Sequence, residues 1–314
     1  TAGAIYWRDT HGIVPRYLML FNEPLSGNGE LDGGTTQEVV DIVKAAGSRL
    51  RAAGFGEMTF VVPNEETERQ TLETTRAILA DAEARQYVGV IGYHTYPYGS
   101  AYADINRILA TSGSGQPDAQ ALAVRGELAA LAQQAGLPLW MTEVSHGAVD
   151  PLSFDALRGR AIHIHDELVY AGASGYFGMF SMWDRASQRQ HFGNDDLGQI
   201  EGHIALIDNA NSTVQITGMG YAIGHYARWI GVGALRVEAT SSDPLLLVTA
   251  FHDSQASRVV LVLINNAERE QAVEIQLQGL TASGAITGEQ STADRPWQPL
   301  VLAEAVTAEG WAVT

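Results

Sequence analysis

The stretch "LMLFNEPLSG", residues 18–27, runs from apolar residues directly into Asn22-Glu23-Pro24. The apolar residues predict a buried strand, and the proline that follows the glutamate ends it. A second apolar run, "PLWMTEVSHG" at residues 138–147, reaches Glu143 in the same way. Each glutamate therefore stands at the mouth of a predicted buried strand, and the question is whether the two form one site.

Short apolar runs alternate with amphipathic stretches between residues 16 and 184. In the first amphipathic stretch, Thr35 or Thr36 can cap a helix that Gly54 ends. Continuous apolar strands separated by helices are typical of parallel strands that are buried on both faces. The pattern predicts five βα units. Their strands are "YLMLF" (17–21), "MTFVV" (58–62), "VGVIGYHTY" (88–96), "LPLWMTEV" (137–144) and "GYFGMFSMWD" (175–184).

The second half of the chain has a different pattern. A helix is predicted over residues 218–231, and beyond about Gly233 apolar residues alternate with period two between turn residues. This alternation is typical of an antiparallel sandwich. The predicted fold class is therefore α/β plus all-β. We expect a partial (β/α) barrel with a linker helix over residues 1–232, followed by an antiparallel β-sandwich over residues 233–314.

Composition excludes several kinds of partner and site. The 314 residues carry a formal net charge of −17, which argues against nucleic acid or anionic membranes as partners. There are no cysteines, so disulfides, thiolate metal sites and cysteine nucleophiles are excluded. No apolar run reaches the ~18 residues of a membrane span. The chain starts at Thr1 without methionine, and we expect that a leader, or more, has been removed.

The two glutamates are placed to face each other. They are 143 − 23 = 120 residues apart, or three βα units, and catalytic side chains of (β/α) barrels lie at the C-terminal ends of the strands. Glycoside hydrolysis needs two carboxyl groups, of which one donates a proton to the leaving oxygen and the other attacks the sugar carbon. Beside the donor, Asn22 could hydrogen-bond a sugar hydroxyl. The predicted ligand is thus an oligo- or polysaccharide.

The motifs resemble those of a known group of enzymes. Asn22-Glu23-Pro24 and Thr142-Glu143 resemble the acid/base and nucleophile motifs of retaining (β/α)8-barrel glycoside hydrolases, and "YHTY" at 93–96 is similar to their His-x-Tyr. Downstream, "YAIGHYARWIGVGALRVEAT" and "VVLVLINNAERE" resemble the linker and sandwich of glycoside hydrolase family 30. That family contains β-glucosylceramidases, β-1,6-glucanases, xylanases and β-xylosidases. The resemblance extends over nearly the whole chain.

The resemblance implies roles for five residues. Glu23 would be the acid/base and Glu143 the nucleophile of a retaining hydrolase of β-linked glycans, with a covalent glycosyl-enzyme intermediate and neither cofactor nor metal. By the same match His94 lines the pocket and Tyr96 hydrogen-bonds Glu143. Trp183 resembles the tryptophan on which a sugar ring stacks. Secretion is also expected, since polysaccharides are usually met outside the cell.

One departure from the family pattern bears on activity. The family's barrel has three further βα units before the Asn-Glu-Pro strand, whereas only residues 1–16 precede it here, so the predicted strands correspond to strands 4–8. An open sheet leaves apolar edges, and we expect a second copy, a separate N-terminal piece or a rearranged helix to cover it. Two alternatives stay open: a non-catalytic carbohydrate-binding protein, and one piece of a split glycosidase that needs an N-terminal partner.

Two other groups of polar residues lie at the end of a predicted strand and in a predicted helix. Asn64, Glu65 and Glu66 follow the second strand, where surface charge is the expected role and substrate contact the alternative. In "HIHDE" (163–167), His163 and Glu167 share a helix face at the spacing of metal ligands. Because that helix is predicted on the outside of the barrel, a structural or exposed role is favoured over a zinc site.

Overall fold

The computed structural model describes residues 1–27, 29–96, 119–144, 150–178, 182–184, 203–279, 286–300, 306–307 and 310–313. For residues 119–121, 183, 306–307 and 310–313 only the backbone is described. Contacts divide the chain into two compact units. The first comprises residues 1–104, 117–146 and 166–179, and the second comprises residues 105–116, 147–165 and 180–314. The boundary expected at residues 232/233 stays a prediction.

The described helices and strands follow one another along both units. The helices are α1 (Ala2–His11), α2 (Thr36–Ala52), α3 (Glu68–Ala80), α4 (Ala119–Ala135), α5 (Phe154–Asp166) and α6 (Gly218–Ala227). The strands of the first unit are β1 (Tyr17–Met19), β2 (Thr59–Glu65), β3 (Val88–His94), β4 (Leu139–Glu143) and β5 (Gly175–Tyr176). Those of the second are β6 (Met182–Asp184), β7 (Ala205–Asp208), β8 (Thr213–Ile216), β9 (Leu235–Val237), β10 (Leu246–Asp253), β11 (Arg258–Asn265), β12 (Val273–Ile275), β13 (Glu289–Gln290), β14 (Gln298–Pro299), β15 (Val306–Thr307) and β16 (Gly310–Val313).

The first unit is built on one parallel sheet. Its five strands pair in the order β1-β2-β3-β4-β5, and every pair is parallel. Strands that follow one another in sequence order, with helices between them, form the wall of a (β/α) barrel, whereas a doubly wound sheet reverses its order at a switch point. The predicted run of five parallel strands is confirmed, and β1 and β5 form the edges of the sheet in the described part of the chain.

Helix α2 shows how the sequence specifies these elements. Thr35 is its N-cap: the Thr35 side chain accepts a hydrogen bond from the Glu38 backbone N–H, and the Glu38 carboxylate accepts one from the Thr35 backbone N–H. This reciprocal capping box fixes the first turn. The helix ends before Gly54, which has φ 85°, a conformation that a side chain would disfavour. The buried face of α2 packs on the sheet through Val39, Val40, Val43 and Leu50.

A buried ion cluster lies on the same side of the sheet. Tyr93 of β3 donates a hydrogen bond to Glu167, which is paired with Arg125 of α4 at 2.8 Å. Arg125 also contacts Glu68 of α3 at 3.1 Å. Burial alone lowers the pKa of Arg125, but the surrounding carboxylates outweigh it and the pKa rises. The "HIHDE" glutamate therefore has a structural role, as favoured from the sequence.

The opposite face of the sheet carries a row of aromatic rings. Leu18 and Tyr176 pack with the helices, so their neighbours Tyr17 and Phe177 point the other way. The Trp140 ring lies between them, with centroids 5.1 Å from Tyr17 and 5.6 Å from Phe177. Phe177 is 43% exposed, which leaves an apolar surface on this face of the sheet.

The second unit differs from the prediction at its start. Within the fifth strand expected over residues 175–184, the structure describes β5, which pairs with β4 in the first unit, and β6, which pairs with β7 in the second. Antiparallel pairing dominates beyond residue 233, in the sheets β11-β10-β9, β12-β16-β15 and β13-β14. A sandwich made from these sheets stays a prediction.

Candidate active site

Glu23 and Glu143 converge at the C-terminal ends of the strands. A carboxylate oxygen of each lies within 4.8 Å of the other, and both lie within 4.8 Å of a ring nitrogen of His94. The side chains are 16% and 20% exposed, so a ligand can reach both from solvent. Two glutamates that are 120 residues apart in the sequence therefore form one site.

His94 and Tyr96, at the end of β3, bind the two carboxylates. The buried His94 ring places Nδ1 2.8 Å from Glu23 Oε1 and 3.9 Å from Glu143 Oε1. Tyr96 donates its hydroxyl hydrogen to Glu143 Oε1 at 3.1 Å. This is the tyrosine–glutamate contact that the family resemblance implied. Together the two residues fix the Oε1 atom of each carboxylate.

The backbone of Glu23 is held in an unusual conformation. Its φ is 51° and that of Asn64 is 58°, both in the left-handed region, which costs a residue with a side chain about 1–2 kcal/mol. The Glu23 N–H donates to Asn64 O at 2.8 Å, and Ser26 N–H donates to Glu23 O at 3.0 Å. These bonds offset the cost, and they direct the Glu23 side chain toward His94. Strained backbone of this kind is concentrated at functional sites.

Irregular pairing beneath the site orients its residues. The register shifts at Asn64 of β2 and at Thr142 of β4, where each strand has one residue more than β3. The Thr142 hydroxyl donates to Asn64 Oδ1 at 2.8 Å and also lies 3.1 Å from the backbone oxygen of Tyr93. Such bulges redirect side chains at strand ends. The hydrogen bond fixes the strand ends that precede Glu143 and support Glu23.

Glu65 corrects a prediction from the sequence. It was expected to be a surface charge, but it is fully buried at the end of β2. Its oxygens accept hydrogen bonds from the Thr74 hydroxyl at 2.9 Å and from the Leu25 N–H at 3.2 Å. Burial raises the pKa of Glu65 to about 7, and the nearby Glu23 adds to the increase. The pKa of Glu66 is also raised, mainly by burial.

The remaining predicted site residues are less closely tied to the pair. The Asn22 side chain is exposed, and its backbone N–H donates to Glu30 Oε2 at 2.8 Å. Trp183 lies in β6 of the second unit, and its side chain is outside the described residues. Contact of either residue with a sugar stays a prediction.

The same three side chains could hold a cation. Glu23, His94 and Glu143 each offer one ligand atom, and these atoms lie within 4.8 Å of one another. Carboxylate and imidazole ligands suit a zinc ion. Contacts with His94 and Tyr96 already engage the Oε1 atom of each carboxylate. The cluster thus fits an acid–base site without further ligands.

Solved structures provide the comparison. A family 30 endoxylanase from Clostridium papyrosolvens C71 superposes with a TM-score of 0.67 at 20% identity, covering 99% of this chain and 65% of its own. A family 30 subfamily 8 xylanase from Clostridium acetobutylicum superposes with a TM-score of 0.70 at 19% identity, and the match covers 99% of this chain and 66% of the xylanase. A conserved exported protein from Bacteroides fragilis superposes with a TM-score of 0.63 at 14% identity, and the match covers 99% of this chain and 65% of the exported protein.

This chain has the fold of a family 30 glycoside hydrolase. It spans about two thirds of the length of the structures that it matches, 65–66% in these three. No protein-family model and no curated protein matches the sequence. The likeness in fold therefore rests on the comparison of structures, as expected at sequence identities of 20% or less.

Sequence reasoning missed the residues beneath the site. Asn64, Glu65 and Thr142 form hydrogen bonds with or close to the segments that carry the two glutamates, yet none was assigned a role there. The signal that could have found the first two is "PNE" at 63–65, a turn-forming pair directly before a glutamate at a strand end. Thr142 occupies a strand position where a threonine is common, and only its partner across the sheet distinguishes it.

Proposed function

We propose that this chain carries the catalytic site of a retaining glycoside hydrolase that cleaves β-linked glycans. The observation that supports it best is the separation of the Glu23 and Glu143 carboxylates, whose closest ligand atoms lie within 4.8 Å. Retaining glycosidases place their carboxyl groups about 5–5.5 Å apart, whereas inverting enzymes need about 6.5–9.5 Å to admit a water. The short separation favours direct attack by one carboxylate.

In the first step Glu143 attacks the anomeric carbon of the sugar. The bond between that carbon and the glycosidic oxygen breaks, and the leaving oxygen takes a proton from Glu23. Tyr96 holds Glu143 through Oε1 and so fixes the orientation of the attacking carboxylate. His94 Nδ1 contacts Glu23 Oε1 and stabilises the carboxylate that forms when the proton leaves.

In the second step a water replaces the departed group. Glu23, now a carboxylate, removes a proton from that water while its oxygen attacks the anomeric carbon. The bond to Glu143 breaks and the carboxylate is restored. Two displacements at the same carbon return the product in the configuration of the substrate. Neither step needs a cofactor.

The neighbours suggest which substrate to test first. Two of the three structures compared above are described as xylanases, and one as an exported protein. We therefore choose β-linked xylan as the first substrate and propose secretion as the location. No helix in the described part of the chain is long and apolar enough to cross a membrane.

A second candidate is one part of a split glycosidase. The aromatic face of the sheet supports it, because Phe177 and Met19 are 43% and 46% exposed there. A cavity of about 450 Å³ also opens where β1, β2 and β3 begin, lined by Arg16, Tyr17, Glu57, Thr59 and Gly89. Further strands from a second copy or an N-terminal partner would cover these surfaces. Activity that appears only after addition of such a partner would favour this candidate.

The test is release of reducing sugar from xylan and a panel of other β-linked glycans. Glu143→Gln should abolish release while keeping the far-UV circular dichroism of the wild type. Glu127→Gln is the matched control, since Glu127 is an exposed carboxylate of α4 that pairs only with Arg76 among the described residues. Substantial turnover by Glu143→Gln would refute the assignment. Binding of an oligosaccharide without release would favour a carbohydrate-binding protein.

Azide separates the roles of the two glutamates. In Glu23→Ala, azide should attack the glycosyl-enzyme formed from an activated aryl β-glycoside and give a β-glycosyl azide. In Glu143→Gly, azide should attack the substrate directly and give an α-glycosyl azide. Exchanged products would reverse the roles.

EDTA should leave wild-type activity unchanged, and a loss that Zn²⁺ restores would favour metal chemistry at this cluster.

A further inference from the structure

Glu65 connects the segment of Glu23 to the helix behind it. The Oε2 atom of Glu65 accepts a hydrogen bond from the Leu25 N–H, two residues after Glu23, and its Oε1 accepts one from the Thr74 hydroxyl of α3. The residue before it, Asn64, accepts the Glu23 N–H through its carbonyl oxygen. Two successive residues of β2 therefore bind two N–H groups of the strained segment that carries the proposed acid/base.

The Glu65 carboxyl group is also an electrostatic neighbour of the site. It is fully buried, and no arginine or lysine forms an ion pair with it among the described residues. The charged groups that act on it are Glu23, whose negative charge raises the Glu65 pKa, and His94, which lowers it. Its other contacts are the neutral Thr74 hydroxyl and the Leu25 N–H, which favour the ionised form.

We propose that Glu65 is a positioning residue of the glycosidase site: it holds the Glu23 segment through Leu25, and its protonation is coupled to that of Glu23. The positioning part rests on the function proposed above, whereas the coupling does not. When Glu23 loses its proton to the leaving oxygen, the new negative charge favours a proton on Glu65. A buried carboxyl group with a pKa near 7 can respond to that change within the working pH range.

The coupling is tested without substrate. In protein labelled with ¹³C at the glutamate carboxyl groups, the resonance that is absent from Glu65→Gln should titrate with a midpoint near pH 7. In Glu23→Gln that midpoint should move to lower pH by about 0.5 or more, because the raising charge has been removed. Glu127→Gln should leave it in place. An unmoved midpoint in Glu23→Gln would overturn the coupling.

The positioning role is tested with two leaving groups. Phenyl β-xylobioside needs a proton from the acid, whereas 2,4-dinitrophenyl β-xylobioside has a leaving group that departs without one. Glu65→Leu removes both hydrogen bonds and should lose at least about 10-fold more kcat/KM on the phenyl substrate than on the dinitrophenyl substrate, because kcat/KM reports the first step, in which only the phenyl group needs the proton. A purely structural role would lower both rates alike and would overturn the proposal.

Glu65→Gln is the matched conservative variant. Its amide oxygen can accept the Leu25 N–H and its amide nitrogen can donate to the Thr74 hydroxyl, so the segment stays in place while the titration is lost. The ratio of the two rates should return to the wild-type value, and the pH profile of kcat/KM should change shape near pH 7. An unchanged profile would contradict the coupling. If wild-type protein cleaves neither xylobioside, the proposed function fails for this substrate and the ¹³C titration still decides the coupling.

Discussion

Thr142 donates a hydrogen bond of 2.8 Å to the side-chain oxygen of Asn64, although a whole strand lies between the two strands that carry them. The bond passes over Gly92 of β3, where a Cβ atom would lie 2.1 Å from Asn64 Oδ1 and 2.8 Å from Val61 Cγ1. A side chain at position 92 is therefore incompatible with this bond. Three strands meet through it directly below the two glutamates.

Gly92→Ala should destabilise the protein and impair the site. The added methyl group meets the Asn64 amide in a packed region, which we expect to cost about 3 kcal/mol in the free energy of unfolding. Urea unfolding measures the change. Gly126→Ala is the control, because nothing lies within 4 Å of the added atom and the residue is inside α4. That variant should gain up to about 1 kcal/mol. Equal stability of the two variants would contradict the packing described.

Thr142→Val should lower stability by about 1–3 kcal/mol, because it leaves the buried Asn64 oxygen without its donor. Thr75→Val is matched to it in shape and burial. The Thr75 hydroxyl is buried in α3 without a hydrogen-bond partner among the described residues. Its removal should therefore be neutral or stabilising. Thermal unfolding of the two variants compares them, and a larger loss in Thr75→Val would refute this assignment of the hydrogen bonds.

Arg125→Met should be among the most destabilising single substitutions in the first unit. It leaves Glu68 and Glu167 without their shared cation, and breaking a buried ion pair on one side costs about 3–5 kcal/mol. The exposed pair Arg76–Glu127 provides the control, since both side chains are 55% exposed. Arg76→Met should cost less than about 1 kcal/mol. Equal shifts of the urea midpoint in the two variants would show that the buried cluster stabilises the fold no more than an exposed ion pair does.

The stability of the protein should fall between about pH 4.5 and pH 7 because of Glu65. Its pKa is raised from 4.5 to about 7 in the folded protein, mainly by burial. Below pH 4.5 the group is protonated in both states. As pH rises, the unfolded chain ionises first, so stability is lost until the folded pKa is passed, by on the order of 3 kcal/mol. In Glu65→Gln this part of the slope should be absent; a slope that persists unchanged would assign it to other groups.

The amino-acid sequence was enough to predict five parallel strands and a glutamate at the mouth of the first and of the fourth. Both follow from local signals: long apolar runs set the strands, and Thr35 with Glu38 sets the start of α2. The resemblance of "YHTY" to a family motif also implied the contact of Tyr96 with Glu143, with the tyrosine two residues beyond His94. Each of these depends on residues that are close in the chain or on a recognised spacing.

What lies beneath the site follows from contacts between elements that are distant in the sequence. Whether Glu65 faces solvent or the core depends on α3 and on the segment of Leu25. The local sequence around a glutamate at a strand end is the same in either case. The extra residues at Asn64 and Thr142 have no local signature, because a register shift is defined only by the partner strand. The separation of Glu23 and Glu143 likewise follows from the curvature and register of the sheet, which no single segment encodes.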